Sequence, residues 1–230
     1  MNTRESITIS TLFFLLLGAT PPPADVSIAL VSKVIQSVEH KEAGGDQWAP
    51  AKRGEVLTSG ERVKTGEKSI AVIKFKDNSM LRVRELTEVL LNGVVDGKAF
   101  LKSTEVQKGV IGFNIKKQQK GEEFRFSSPT SVASIRGTSG QFGATDSADK
   151  LVVLEGLVRL MNKSSSRELD VEEGWTGISY PSGKLEKRPS TPDERAAAQL
   201  AARLGDQTNT LDVELNNGSG NKKRIEIKFK

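Results

Sequence analysis

Between about Val26 and Leu185 apolar and polar residues alternate in short runs. Gly, Asn, Asp, Ser or Pro breaks the runs at roughly the 8–12-residue spacing of an all-β chain. Successive side chains of an extended backbone point to opposite faces, so this period of two predicts half-buried strands. Ile70, Val72 and Lys74 alternate with Ala71, Ile73 and Phe75, and Met80, Arg82 and Arg84 with Leu81 and Val83. Asp77-Asn78 lies between these runs, and both residues tolerate the left-handed turn conformation, which predicts a hairpin. Further strands are predicted over 88–91, 98–101, 110–115, 122–126, 132–135, 150–154 and 157–162. No long helical period interrupts them. The expected fold is all-β, with many short strands in a sandwich, roll or solenoid-like body, rather than α/β.

Both ends break the pattern. Arg4 precedes an apolar stretch, 7–17, that is densest from Leu12 to Leu17 and is followed by Gly18 and Pro21-Pro22-Pro23. The stretch is well short of the ~20 residues that span a bilayer, and residues 1–24 read as a signal peptide. Ala24 is the nearer cleavage position, while Ser27-Ile28-Ala29 fits the small-x-small rule and would place cleavage at Ala29. No cysteine and no second such apolar segment follows. The mature chain is therefore expected to be periplasmic or otherwise extracytoplasmic, with no lipid anchor and no transmembrane anchor.

Near the other end, Thr191-Pro192-Asp193-Glu194 has the signature of a helix start: a capping threonine, proline at the first helical position and a glutamate to close a capping box. Alanine-rich residues 195–204 follow and Gly205 ends them, with Leu200 and Leu204 expected to face the β body. Leu211, Val213 and Leu215, then Ile225, Ile227 and Phe229, alternate with polar residues on either side of the turn 216–221. They predict a terminal hairpin with one apolar face, covered by its own chain or by a partner. Its acidic and basic strands would attract each other. The expected organisation is a signal peptide over 1–24, a β domain over 30–185, and one C-terminal helix with a terminal β-hairpin over 186–230.

Composition narrows the chemistry. The 230 residues include no cysteine and a single histidine, His40. Disulfides, thiol nucleophiles and cysteine-ligated metals are thereby excluded, and the lone His40 leaves no histidine cluster for a metal or a triad. The net charge of +5 is concentrated in residues 222–230, which hold five cations and one glutamate, so the rest of the chain is close to neutral. A basic tail without interleaved aromatic residues does not point to nucleic acid.

Candidate motifs give way on inspection. Gly60 to Ser69 superficially resembles a phosphate-binding loop, but Glu67 stands where the lysine belongs, and a turn between strands is the better reading. Gly137, Gly140 and Gly143 lack the βαβ setting of a dinucleotide site. Ser147-Ala148-Asp149-Lys150 matches the serine–x–x–lysine string of some acyl-transfer enzymes without its companion motifs. Glu122-Glu123 and Glu172-Glu173 are adjacent pairs on strand-like segments, so neither pair can address one substrate together. Asp170, Glu172 and Glu173 lack the spaced ligands of a calcium loop. No metal, cofactor or catalytic residue is expected.

The most distinctive stretch runs from Phe124 to Phe142 and contains Ser128-Pro129-Thr130-Ser131-Val132-Ala133-Ser134-Ile135-Arg136-Gly137-Thr138. Arg136 beside a glycine turn either hydrogen-bonds the turn's carbonyls or contacts an anion or partner. Upstream lie 54–66 (GEVLTSGERVKTG) and 71–79 (AVIKFKDNS), and downstream Val153-Leu154-Glu155-Gly156-Leu157-Val158 and Glu173-Gly174. In this order the motifs resemble the extracytoplasmic domain of the FecR family, over about 32–183. The family's usual Asp-Gly-Ser stands here as Asp77-Asn78-Ser79. The resemblance implies an all-β periplasmic domain of the kind that relays a signal from an outer-membrane transporter. In the family's regulators a transmembrane helix joins that domain to a cytoplasmic segment controlling a sigma factor. The short apolar run here departs from that plan and implies a free-standing form.

The expected function is non-enzymatic binding of an envelope protein or small ligand, as an accessory to envelope signal sensing. The alternative is a structural module attached to the envelope or to peptidoglycan. The candidate binding residues are Arg136, Gly137 and Thr138.

Overall fold

The computed structural model describes residues 27–96, 99–119, 121–203, 209–216 and 222–229. The segment expected to be a signal peptide, Leu204 and most of the terminal turn lie outside them. The body begins with β1 (Ser27–Ile35), β2 (Val38–Lys41), β3 (Ala49–Pro50), β4 (Val56–Thr58), β5 (Arg62–Thr65), β6 (Ile70–Phe75), β7 (Met80–Val83), β8 (Glu88–Asp96) and β9 (Ala99–Ile115). It continues with β10 (Glu123–Ser127), β11 (Ser131–Ile135), β12 (Thr138–Ala144), β13 (Asp149–Glu155), β14 (Leu157–Asn162), β15 (Glu168–Glu172), β16 (Trp175–Ser179) and β17 (Leu185–Pro189). These strands form one connected mixed sheet of 17 strands, so the all-β expectation holds. The two segments expected at 98–101 and 110–115 are parts of the single strand β9.

That strand organises the fold. Its first half pairs with β8 and β10, and its second half with β7 and β12. The sheet thus has two layers that share β9. One layer runs β4-β1-β6-β7-β9-β12-β13-β16-β17 and the other β3-β2-β5-β8-β9-β10-β11-β14-β15.

The chain visits these layers in two matching rounds. In the first round β5 and β8 pair in one layer while β6 and β7 form a hairpin in the other. In the second, β11 and β14 pair while β12 and β13 form the hairpin. The predicted Asp77-Asn78 turn is present, with Asn78 at φ 64°. The only parallel pair among the described strands, β9 with β10, is the seam between the rounds.

Period-two burial turns the apolar side chains of both layers inward. Phe75, Phe113 and Phe142 from one layer meet Phe124 and Phe126 of β10 from the other. Ring centroids are 4.9 Å apart for Phe75–Phe124 and for Phe113–Phe126, and 6.1 Å for Phe126–Phe142. Offset and edge contacts of this kind add to the area burial.

The helix α1 (Pro192–Arg203) lies across the outer face of the β7-β9-β12-β13 layer. Its start is the expected capping box. Glu194 N donates to Thr191 Oγ1 at 3.2 Å, and Thr191 N donates to Glu194 Oε2 at 3.0 Å. Arg188 grips the same carboxylate with two nitrogens, at 2.8 and 2.7 Å, and holds it well below the usual carboxylate range.

The docking face differs from the expected one. Ala198, Ala201 and Ala202 are buried, whereas Leu200 is 56% exposed. The reason is close approach: a Cβ on Gly112 of β9 would stand 2.1 Å from the carbonyl oxygen of Ala201, leaving no room for a leucine between helix and sheet.

The strands β18 (Asn209–Asn216) and β19 (Lys222–Phe229) form a separate two-stranded sheet, as expected. Their register puts Leu211 opposite Ile227 and Val213 opposite Ile225. The same register sets Glu214 opposite Arg224 and Asp212 opposite Glu226.

The helix contact yields a test. Gly112→Ala should lift α1, cost about 1–3 kcal/mol, and speed amide hydrogen exchange over 195–203. Unchanged exchange there would show that the close approach does not hold the helix.

Candidate functional site

The motif from Ser128 to Thr138 is β11 with its two ends. The lower end is locked from inside. Ser128 N donates to Ser131 O at 3.0 Å to make the turn, and Ser128 Oγ accepts from Thr130 N and Ser131 N at 3.0 and 2.9 Å. Both serine hydroxyls donate to one carboxylate oxygen, Asp149 Oδ2, the Ser131 bond being 2.5 Å. Asp149 is 1% exposed and its other oxygen, Oδ1, is buried without a partner. Burial pushes the Asp149 carboxyl above its ordinary value, against the hydroxyl donors and the nearby Lys163 ammonium. Lys163 Nζ also donates to Ser128 O.

The upper end is the corner that carries the candidate residues. Gly137 has φ 77°, and a Cβ there would be 3.1 Å from Lys117 Cα. Gly156, in the neighbouring corner between β13 and β14, has φ 86°, and its Cβ would be 2.8 Å from Gly137 O. Only glycine combines this conformation with so close a crossing. Thr138 is buried and donates from Oγ1 to Leu157 O at 3.2 Å. Arg136 is exposed and makes no hydrogen bond or ion pair among the described residues. The expected bonds from Arg136 to turn carbonyls are therefore not formed. Gly137 and Thr138 build the corner, and Arg136 is the group it presents.

Other polar clusters have internal partners. Lys102, whose side chain is 1% exposed, pairs with Asp77 beneath the β6–β7 turn, and Gln118 Nε2 donates to the same carboxylate at 3.0 Å. Burial alone would raise the Asp77 carboxyl, but Lys102, Gln118 and the Ser79 N–H together hold it below its ordinary value. The insertion between β2 and β5 forms a cleft lined by His40, Glu42, Ala43, Glu55, Val56, Thr58 and Glu61. There His40 Nε2 lies 2.9 Å from Glu55. Among the described residues no cluster of three or more His, Cys, Asp or Glu is arranged to hold a metal. Glu123 is bound to Arg125 at 2.6 Å and Glu172 to Lys187 at 2.6 Å. Neither adjacent glutamate pair converges on one point.

Sequence reading singled out Arg136, Gly137 and Thr138, which the structure places at one corner, and did not bring in Asp149, Lys117 or Leu157. Lys117 and Leu157 join the corner only through strand pairing, which no local pattern encodes.

Comparison with known proteins agrees with the family resemblance. Residues 61–159 match the family model described as FecR protein, a span from the turn before β5 into β14 that takes in the paired cores of both rounds. No curated protein matches the sequence. Among solved structures, the fold is similar to two crystal structures, at 1.65 and 2.50 Å, of a proposed anti-sigma factor from Parabacteroides distasonis ATCC 8503. In each case the TM-score is 0.51 at 14% identity, covering 66% of this chain and 66% of that one, just under two thirds of either. At that identity the likeness concerns the fold.

The buried carboxylate gives a pH-dependent prediction. Asp149→Asn keeps an acceptor for both serines and removes the buried charge, whereas Asp149→Ala strands two buried hydroxyls and should cost about 2–4 kcal/mol. The Asp149 carboxyl is raised in the folded state above its ordinary 3.8. As pH rises past that value the unfolded chain ionises first. The wild type should therefore lose stability relative to Asp149→Asn between about pH 4 and neutrality. Urea midpoints of both proteins at pH 4.5 and 7 measure this. A difference that does not change with pH would refute the raised carboxyl.

Proposed function

From the FecR match over 61–159, we propose that this chain is an exported, FecR-like binding module that engages a protein or ligand outside the cytoplasm, as an accessory to envelope signal sensing. The observation that carries the reading is the contrast within the family motif: β11 is locked at one end, while Arg136 at the other stands exposed with no partner among the described residues. A solved structure of similar fold described as a proposed anti-sigma factor supports a regulatory, protein-binding role over catalysis.

Export rests on the N-terminal apolar run. No helix among the described residues is long and apolar enough to cross a membrane. Ile28 is fully buried in β1, so cleavage at Ala29 would remove a core side chain, while cleavage near Ala24 leaves the strand whole. The structure of the mature domain thus favours Ala24.

A second reading draws on the terminal hairpin, which forms a sheet of its own and ends in a basic strand. It makes the protein an envelope or peptidoglycan-associated structural module.

Crosslinking in cells with a C-terminally tagged copy, with mass identification of captured proteins and of the mature N-terminus, separates these readings. The expected result is a new N-terminus near Ala24 and capture of an outer-membrane transporter or a membrane-bound sigma-factor regulator. Co-sedimentation with peptidoglycan, abolished by deleting 209–230, would favour the structural module. An uncleaved N-terminus with cytoplasmic partners would overturn both.

A further inference from the structure

The corner of Arg136 continues into a row of residues that crosses the outer face of the β8-β9-β10-β11-β14-β15 layer. Strand register sets the row directly. Val94 pairs with Leu101, and Leu101 with Glu123. Phe124 pairs with Ile135, which places Glu123 opposite Arg136. Ile135 pairs with Val158, which places Arg136 opposite Leu157, and Leu157 pairs with Glu172. The neighbours Lys102, Phe124, Ile135, Val158 and Val171 are all buried, so alternation turns the row itself outward.

The composition of the row is unusual for a solvated face. Val94, Leu101 and Leu157 are 58, 38 and 48% exposed. At roughly 4.8 Å per strand, Val94 and Leu157 lie about 19 Å apart, with Arg136 between Leu101 and Leu157. The two carboxylates of the row are already neutralised, Glu123 by Arg125 and Glu172 by Lys187. Arg136 is therefore the uncompensated charge in the row, and exposed Lys117 beside Gly137 adds to it. The opposite outer face is covered at its middle by α1, whereas this one bears no helix among the described residues.

We propose that this row is the docking surface for an amphipathic acidic segment of a partner protein. The segment lays apolar side chains on Val94, Leu101 and Leu157 and sets a carboxylate against Arg136. The proposal rests on the binding reading above and specifies the chemistry of the partner. Apolar anchors around a single charge give affinity through the anchors and orientation through the charge. A basic or purely polar segment would leave Arg136 repelled or unpaired.

The test uses the isotopically labelled 230-residue chain and a synthetic helix of about 15 residues, long enough to hold helical structure. One face of the peptide carries leucine with a glutamate set among the leucines to meet Arg136, and an analogue has lysine for that glutamate. On titration, amide shifts should be confined to residues around 94, 101, 117, 136–137 and 157. Arg136→Glu should weaken binding about tenfold or more, because it puts like charges together. Leu157→Ser should weaken it about threefold or more, and the lysine analogue should fail to shift these amides. Arg136→Gln, which removes charge without reversing it, should fall between wild type and Arg136→Glu. Thermal unfolding of each variant checks that the fold is kept. Shifts elsewhere, absence of binding, equal binding of the lysine analogue, or affinity indifferent to Arg136→Glu would each overturn the proposal. Partner capture in cells is read independently of the peptide. A partner captured equally by wild type and Arg136→Glu would sink the docking row but leave the binding function standing.

Discussion

One strand has to serve two layers, and the bend in β9 makes this possible. Gly109 sits at the bend with φ 113°, and a Cβ there would lie 2.2 Å from Thr87 Oγ1. Thr87 fills that space and accepts from Val110 N at 2.9 Å, tying the bend to the corner between β7 and β8. Because β9 pairs with β8 and β10 before the bend and with β7 and β12 after it, its path sets the register of both rounds together. A side chain at 109 would collide with Thr87 and adopt a conformation that only glycine takes readily. The phenylalanine contacts between layers depend on that register, since a slip of one residue would turn Phe113 outward.

The parallel pairing of β9 with β10 follows from the same constraint. Each round begins and ends in the layer that holds the second half of β9, so that half is both the last strand of the first round and the first of the second. In the other layer the two rounds meet edge to edge, and β10 has no hairpin connection through which to pair antiparallel with β9. The outer ends are then capped differently. β3 and β4 cover the first round. On the last strands Lys187 of β17 reaches Asp170 O and the Glu172 carboxylate of β15, blunting an exposed edge.

Much of this was legible where the physics is local. Alternation in 70–75 and 80–83 gave β6 and β7, Asp77-Asn78 gave their turn, and Thr191 to Glu194 gave the start of α1. The family motifs located Arg136, Gly137 and Thr138, and the family match spans them. Long-range packing was not legible. The segments 98–101 and 110–115 were read apart because the intervening run of polar residues pairs along its length with β8, a fact of register rather than of hydropathy. The docking face of α1 was misassigned to Leu200 because the choice depends on Gly112, some ninety residues earlier. Asp149 lay in a string dismissed as coincidence, and its role arises only when the Ser128 turn folds onto it.

The two ends of β11 separate holding from presenting. At Ser128 every polar group that touches Asp149 faces inward, and the buried carboxylate is tolerated because two hydroxyls are fixed on one oxygen. At Arg136 the geometry is equally constrained in backbone, through Gly137 and Gly156, yet the guanidinium has no partner among the described residues. Rigid backbone beneath an uncommitted cation reduces the entropy a partner must overcome to bind it. An arginine serving only to stabilise its own turn would be expected to bond those carbonyls, and it does not. The neutralised Glu123 and Glu172 on either side leave the row with one unmet charge flanked by exposed leucines. On a strand surface otherwise laced with ion pairs, that combination is the ground on which the proposed docking row rests.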